Sequence, residues 1–465
     1  AIGKGALSGT AIAAATGNFN IAVGNYALDA TTSGASNVAI GYNSLSAVTT
    51  AGSNTGVGTG SGFRVTGANN TLIGLQAGYY ATSITECIAI GRDAMRGDGV
   101  TAPTGDYNIA IGSLSLDAVT TAAQNVAVGY NAGSALVDGN YNTLVGYGAG
   151  AAMTDNTHNV AIGRNALDAA NGGEHYNIAI GAGALSAEAA GSGGNVAIGH
   201  SALNVQNTAS SNNVAIGYLA ATALNGGTDS VYVGYLAGGV GAITGDDNVC
   251  IGKSAGQALV AGHSNVLLGK DAGLTLAGGT GNVCVGLNAG KLNVAGSDNV
   301  LIGRDAGQAL HATNISDYNI AIGANAFESE ASGADYCIAI GHDALTLQNA
   351  NVKNTAIGGL AGDAIVGGTE NTFVGYQAGS AVSGGNSNTA VGHDAYLAGT
   401  GTSNTIMGYA AGDAAMTGSH NVCLGSSAGS AITDGPGNVC IGSSAGVAMT
   451  TGDYNIAIGY QAADG

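Results

Sequence analysis

The 465-residue chain carries 83 glycines, 45% hydrophobic residues, only 8% charged residues, two prolines and no tryptophan. That mixture is too apolar for a disordered chain and lacks the strict Gly-X-Y spacing of collagen. A formal charge of −19 with only ten Lys and Arg argues against a nucleic-acid partner, and no apolar run approaches the roughly 18 residues of a membrane span.

Taken in chain order, the sequence repeats one short phrase. It enters at "AIG" (Ala1–Gly3), reads "NIAVG" at Asn20–Gly24 and "NVAIG" at Asn37–Gly41, and closes with "NIAIG" at Asn455–Gly459. Aligned on its glycine, the phrase occurs 27 times, and 16 of the 26 intervals are 17 residues. The others are 16 or 18, apart from three longer steps ending at Gly24, Gly112 and Gly323. No stretch escapes the pattern, so a single continuous repeat domain over 1–465 is expected, without a linker. A fixed short period means a solenoid.

Each copy reads as strand, corner, strand, loop. In "NVAIG" two branched residues flank a small one, the period-2 mark of a strand. A corner of about two residues follows, then a second segment such as Ala255-Gly256-Gln257-Ala258-Leu259, then a polar loop. Seventeen residues are too few for a crossover helix or for a helical repeat. The predicted fold is therefore all-β, a parallel β-solenoid (β-roll) of 26–27 coils. At about 4.8 Å per coil it would extend on the order of 125 Å. The chain has no initiator Met and no signal-peptide pattern, and is read as processed or as part of a longer chain or fibre.

Positions of the repeat become columns along a solenoid. The residues three and one before the glycine, such as Val38 and Ile40 or Ile109 and Ile111, are nearly all Val, Ile, Thr or Leu. They are expected to form the dry core, each worth roughly 1.5–3 kcal/mol when buried. The residue between them is small or apolar and never charged. It is expected to point outward against another chain, which predicts a homo-oligomer, preferably a trimer; a merely small outer face is the alternative.

Four residues before the glycine, Asn stands in 23 of 26 full copies, with Cys87, Ser230 and Cys337 as exceptions. Asn37, Asn108, Asn125, Asn142, Asn159, Asn195, Asn248, Asn299, Asn371 and Asn455 are expected to form a structural amide ladder. The glycines, among them Gly41, Gly112, Gly129, Gly146, Gly163, Gly199, Gly252, Gly303, Gly375 and Gly459, mark a corner with positive φ or with no room for a Cβ. The column just after the glycine is varied. It holds Tyr42, Arg92, Tyr130, Tyr147, Arg164, Tyr218, Tyr235, Lys253, Lys270, Arg304 and Tyr376, with His200, His342 and His393. Asp often follows at once, as in Asp93, Asp271, Asp305, Asp343 and Asp394. Two readings stay open here: a solvated corner with charge pairing between subunits, or a stripe that contacts a glycan or a host-cell surface.

Chemistry is hard to find. Cys250, Cys284, Cys423 and Cys440 sit in the small apolar column, none forms a CxxC pair, and all six cysteines read as buried thiols; Cys423 and Cys440, one coil apart, are close enough for a crosslink to be considered. The eight His make no HExxH, and there is no nucleophile elbow or P-loop. Loops such as "TGDDN" (Asp246, Asp247) and "TGDYN" (Asp106, Asp453) offer mostly one carboxylate, so no cofactor is expected, with a stray loop calcium left open. A polysaccharide-cleaving β-helix would need acids clustered in a groove. The irregular loops near Ala11 to Asn18, Pro103 and Leu310 to Asn319 bring no acid pair together, so no catalytic or metal-binding residue is assigned.

The copies "NVAIGYNSL", "NTLVGYGAG", "NTAVGHDAY" and "NIAIGAGAL" resemble the head repeats of YadA-type trimeric autotransporter adhesins and the "NTAVGYxAL" arrays of phage tail fibres. The resemblance spans essentially all 465 residues. It departs from both families in its usual period of 17 and in lacking a membrane anchor, a coiled-coil stalk and a chaperone domain. The resemblance implies a trimeric surface or virion fibre outside the cell. The function expected is a non-catalytic shaft of an attachment appendage. The alternative is a self-stacking extracellular filament, for which the mid-repeat, uncapped ends speak.

Overall fold

The computed structural model describes residues 1–9, 15–170, 172–187, 191–206, 208–239, 241–310, 316–329, 334–347 and 353–464. Of the irregular loops noted in the sequence, residues 11–14 and 311–315 lie outside the described residues. The fold is an all-β parallel solenoid of about 25 coils with a period near 17 residues. It divides into two compact units, Ala1–Ser230 and Val231–Gly465.

In the first unit, three-residue strands recur from Ile21–Val23 to Val214–Ile216, and in the second from Val231–Val233 to Ile456–Ile458. Each pairs in parallel with the strand of the next coil within its unit, in identical register: Val38 faces Thr55, and Ile109 faces Val126. The Ile109 N–H donates to Asn125 O at 2.8 Å, and the Gly129 N–H donates to Ile111 O at 2.7 Å. The long step from Gly91 to Gly112 does not disturb this, since Ile88 still pairs with Ile109.

The side-chain assignment within the strand is the reverse of the expectation. Ala39, Ala110, Leu144, Cys250 and Phe373, the middle residues, are fully buried. Their flanking neighbours Val38, Ile40, Ile109 and Ile111 point out and are half-buried or exposed, Ile40 by 41% and Ile111 by 37%. The physical reason is the thinness of the coil. A three-residue strand faces a tight turn of the same coil, and the space between holds one inward residue from each side. Alternation then forces both branched residues outward.

The facing residue is the fourth after the glycine, and on many coils the two are matched in size. Ala39 stands with Leu45, Ala161 with Leu167 and Ala321 with Phe327, all fully buried. Where the strand residue is large, its partner is glycine: Leu301 with Gly307, Phe373 with Gly379, Tyr232 with Gly238. A Cβ on any of these three glycines would overlap the large side chain it faces. Close packing at fixed volume decides both positions together. A further inward column, seven after the glycine, adds Val48, Leu136, Met153, Leu276 and Ile365.

The predicted second strand is a run of turns instead. The second and fourth residues after the glycine are left-handed, as in Asn43 (φ 54°) and Leu45 (φ 50°). Coil-to-coil hydrogen bonding still continues there, with Leu45 N–H donating to Ser61 O at 2.9 Å. Two-residue strands form beyond the turn at only four described places, such as Ala381–Val382 paired with Ala398–Gly399. The corner glycine satisfies both sequence criteria. Gly112 has φ +136°, and a Cβ on it would overlap the Gly129 carbonyl of the next coil, so only glycine fits.

Candidate functional site

The Asn column is buried and linked as a ladder. Asn125 N–H and Nδ2–H both donate to Asn108 Oδ1, at 3.0 and 3.1 Å, and Nδ2 also donates to Gly139 O at 2.9 Å. Asn142 repeats the pattern on Asn125. Asn37, Asn159, Asn195, Asn248, Asn299 and Asn371 are likewise fully buried or nearly so, whereas Asn455 is exposed and still bonds Asn438. One amide thus satisfies a backbone donor of the next coil and a loop carbonyl of the same corner. Cys87 interrupts the ladder. Its Sγ accepts the Asn108 N–H at 3.4 Å, and burial pushes the thiol up to about 11.

The other cysteines are buried free thiols. Burial holds Cys284 at about 12 and Cys250 higher. Cys423 faces Cys440 across the ladder, and donating its S–H to that sulfur, with burial, holds Cys423 well above the ordinary value, while accepting the same bond lowers Cys440. Nucleophilic chemistry needs a thiolate, and the environments of Cys87, Cys250, Cys284 and Cys423 oppose one. Among the described residues no group of three or more His, Cys, Asp or Glu is placed to hold a metal ion, and no helix is long and apolar enough to cross a membrane.

Two kinds of surface column remain. The first is apolar: Val, Ile and Thr at three and one before the glycine line the outer face of every strand. The second is aromatic. In the column after the glycine, the Tyr130 and Tyr147 rings stack at 5.3 Å, His200 and Tyr218 at 5.3 Å, and Tyr376, His393 and Tyr409 follow one another at 5.1 and 5.4 Å. Tyr42 meets Tyr26 edge-on at 6.1 Å. A parallel aromatic column, five before the glycine, was not singled out in the sequence. Tyr141, His158 and Tyr176 stack there at 4.8 and 5.0 Å, and Tyr318 with Tyr336 at 5.0 Å. Its signal was present as Tyr or His written directly before the ladder residue. In the stacked pairs of both columns the ring faces cover each other along the axis.

The cations of the column are mostly answered within their own coil. Arg92 pairs with Asp93 at 3.9 Å, Lys270 with Asp271 at 3.6 Å and Arg304 with Asp305 at 3.0 Å. Lys253 lies over the Tyr235 ring at 5.6 Å. Charge pairing between subunits is therefore not needed to explain the aspartates. A backbone reason adds to this: Asp93, Asp271, Asp305, Asp343 and Asp394 all have φ between 55° and 58°, a left-handed conformation that Asp and Asn tolerate better than most residues. Arg164 is followed by Asn165 in place of Asp and, like Lys4 and Lys253, makes no ion pair within 4 Å among the described residues.

No known protein family matches the chain, and no curated protein matches it.

Proposed function

We propose that the chain is the structural, non-catalytic shaft of an extracellular or virion attachment appendage, built from copies of itself packed side by side, three being the preferred count. The observation that supports this is the outer strand face. An apolar column one before the glycine repeats there on every coil beside a column of Val, Ile or Thr, with Ile162 exposed by 38%, Leu268 by 42% and Met407 by 49%. Large exposed apolar patches mark interfaces. A face that repeats about every 4.8 Å is matched coil for coil by a surface of the same spacing, and another copy of this chain has it.

Light scattering on the purified chain tests the association. An oligomer is expected, and Ile111→Glu with Val128→Glu on adjacent coils is expected to yield folded monomers, because both residues lie outside the core. A native chain that runs as a monomer overturns the packing. Negative-stain microscopy separates the uses: discrete fibres with a distinct tip support the attachment shaft, whereas indefinite filaments replace it with a self-stacking structural polymer.

A further inference from the structure

One place on the first unit breaks the corner columns. On the coil of Gly181, the two positions after the glycine are Ala182 and Gly183, between Arg164-Asn165 on one neighbouring coil and His200-Ser201 on the other. The missing side chains leave a cavity of about 380 Å³. Ala182 and Gly183 form its floor, and Arg164 and His200 stand on its two walls. Their backbones are roughly 10 Å apart, twice the ladder spacing. Five further polar residues, Asn165, Asp168, Ser186, Ser201 and Asn204, line it.

The walls differ from their equivalents on other coils. Arg92, Lys270 and Arg304 are each neutralised by the next residue, as described above. His342 and His393 are each bonded through Nδ1 to the carboxylate that follows, at 2.9 Å. Arg164 is followed by Asn165 and His200 by Ser201, so neither has that acid. Asn204 is held in place by bonds from its Nδ2 to Ser186 Oγ at 2.6 Å and to Gly183 O at 2.9 Å. Asp168 is partly buried, which raises its carboxyl above the ordinary value, and the charge of Arg164 works against that rise.

We infer that this notch binds a carboxylated pyranose, a uronic or sialic acid residue. The Arg164 guanidinium offers two parallel donors to the ligand's carboxylate, while Asp168, Ser186 and Asn204 offer donors and acceptors to ring hydroxyls. The volume, near the lower end for ligand pockets, suits one sugar ring. An isolated chain would bind as well as an assembled fibre, so this inference and the fibre reading fail separately.

The test is calorimetry and saturation-transfer NMR on the full chain, with N-acetylneuraminic acid, glucuronic acid, glucose and inorganic phosphate as probes. Millimolar binding of at least one carboxylated sugar is expected, with glucose about tenfold weaker or more. Arg164→Ala is expected to weaken binding about tenfold. Ala182→Tyr, which places in the gap the residue most common in that column, is expected to abolish binding with an unchanged circular dichroism spectrum. Arg164 is exposed, so its variant keeps the test decisive if Ala182→Tyr does not fold. Three results each overturn the inference: no carboxylated sugar bound at about 10 mM, phosphate bound as tightly as the sugars, or undiminished binding by Arg164→Ala.

Discussion

At the residue scale, the ladder Asn carries more than one obligation at once. Asn125 Oδ1 receives the Asn142 N–H at 2.9 Å and its Nδ2–H at 3.0 Å, while its own Nδ2 feeds the Gly139 carbonyl. Truncation leaves buried backbone groups unpaired, which costs about 1–3 kcal/mol. Asn125→Ala is therefore expected to lower stability by that amount in urea unfolding, and Asn125→Asp by a comparable amount, because a carboxylate cannot donate to Gly139. An unchanged midpoint for Asn125→Ala would remove the ladder's energetic role. This column was fully legible in the sequence, because its chemistry needs one residue type on nearly every coil.

At the element scale, the coil is governed by a volume sum shared between the strand's middle residue and the turn residue opposite it. Gly379→Leu alone is expected to overpack against Phe373 and cost about 1–3 kcal/mol. Phe373→Ala alone is expected to cost about 3–5 kcal/mol through the cavity it opens. The double variant, which rewrites the coil in the Ala–Leu form of the Gly41 and Gly163 coils, should recover more than half of the summed loss. Leu at the left-handed turn position is no obstacle, since Leu45 holds φ 50° there. Denaturant melts of the three variants check the cycle; simple additivity would deny that the positions face each other. This pairing was also written in the sequence, as large strand residues followed six positions later by glycine: Leu144 and Gly150, Leu267 and Gly273, Phe373 and Gly379. Hydrophobicity hid it. Val and Ile are the most apolar residues of the strand and so suggest a core, whereas the narrow interior admits Ala opposite Leu and turns the branched pair outward. The left-handed turns were hidden for a different reason: their residues, Leu among them, are not the ones local propensity assigns to positive φ.

At the scale of the whole molecule, the net charge of −19 acts together with a recessed acidic column. Asp29, Asp117, Asp168, Asp363 and Asp413 stand five residues after the corner glycine, and burial raises the carboxyl of each. Asp343 adds to the rise at Asp363, and Asp394 at Asp413. A carboxyl raised by folding contributes stability that is present at low pH and lost as pH climbs through the raised value. Asp138, held low by the Thr120 and Thr121 hydroxyls, and Asp98, held low by the Thr101 and Val100 N–H groups, act in the opposite sense, losing their contribution as pH falls through the lowered values. The raised set is larger, so acidification from neutral toward the upper edge of the aspartate range is expected to raise Tm. Asp363→Asn should raise stability at pH 7 by less than about 1 kcal/mol, given solvent screening, and flatten the pH dependence. Circular dichroism melts from pH 7 to about 5 check both; a Tm that falls throughout would place the dominant carboxylates elsewhere.

The uneven spacing of the corner glycines has one more consequence. Steps of 16, 18 and 21 residues, ending at Gly74, Gly181 and Gly112, leave the pairing of Thr55 with Thr71, of Val160 with Ile178 and of Ile88 with Ile109 in register. Added length goes into the polar loops and none of it shifts a column of the three-residue strands. Position in this protein is thus counted in coils and hardly at all in residues. A foreign peptide grafted in place of Gly97–Thr104 would sit at a fixed rung with every other rung unmoved, which makes each unit a scaffold whose attachment points can be addressed one by one.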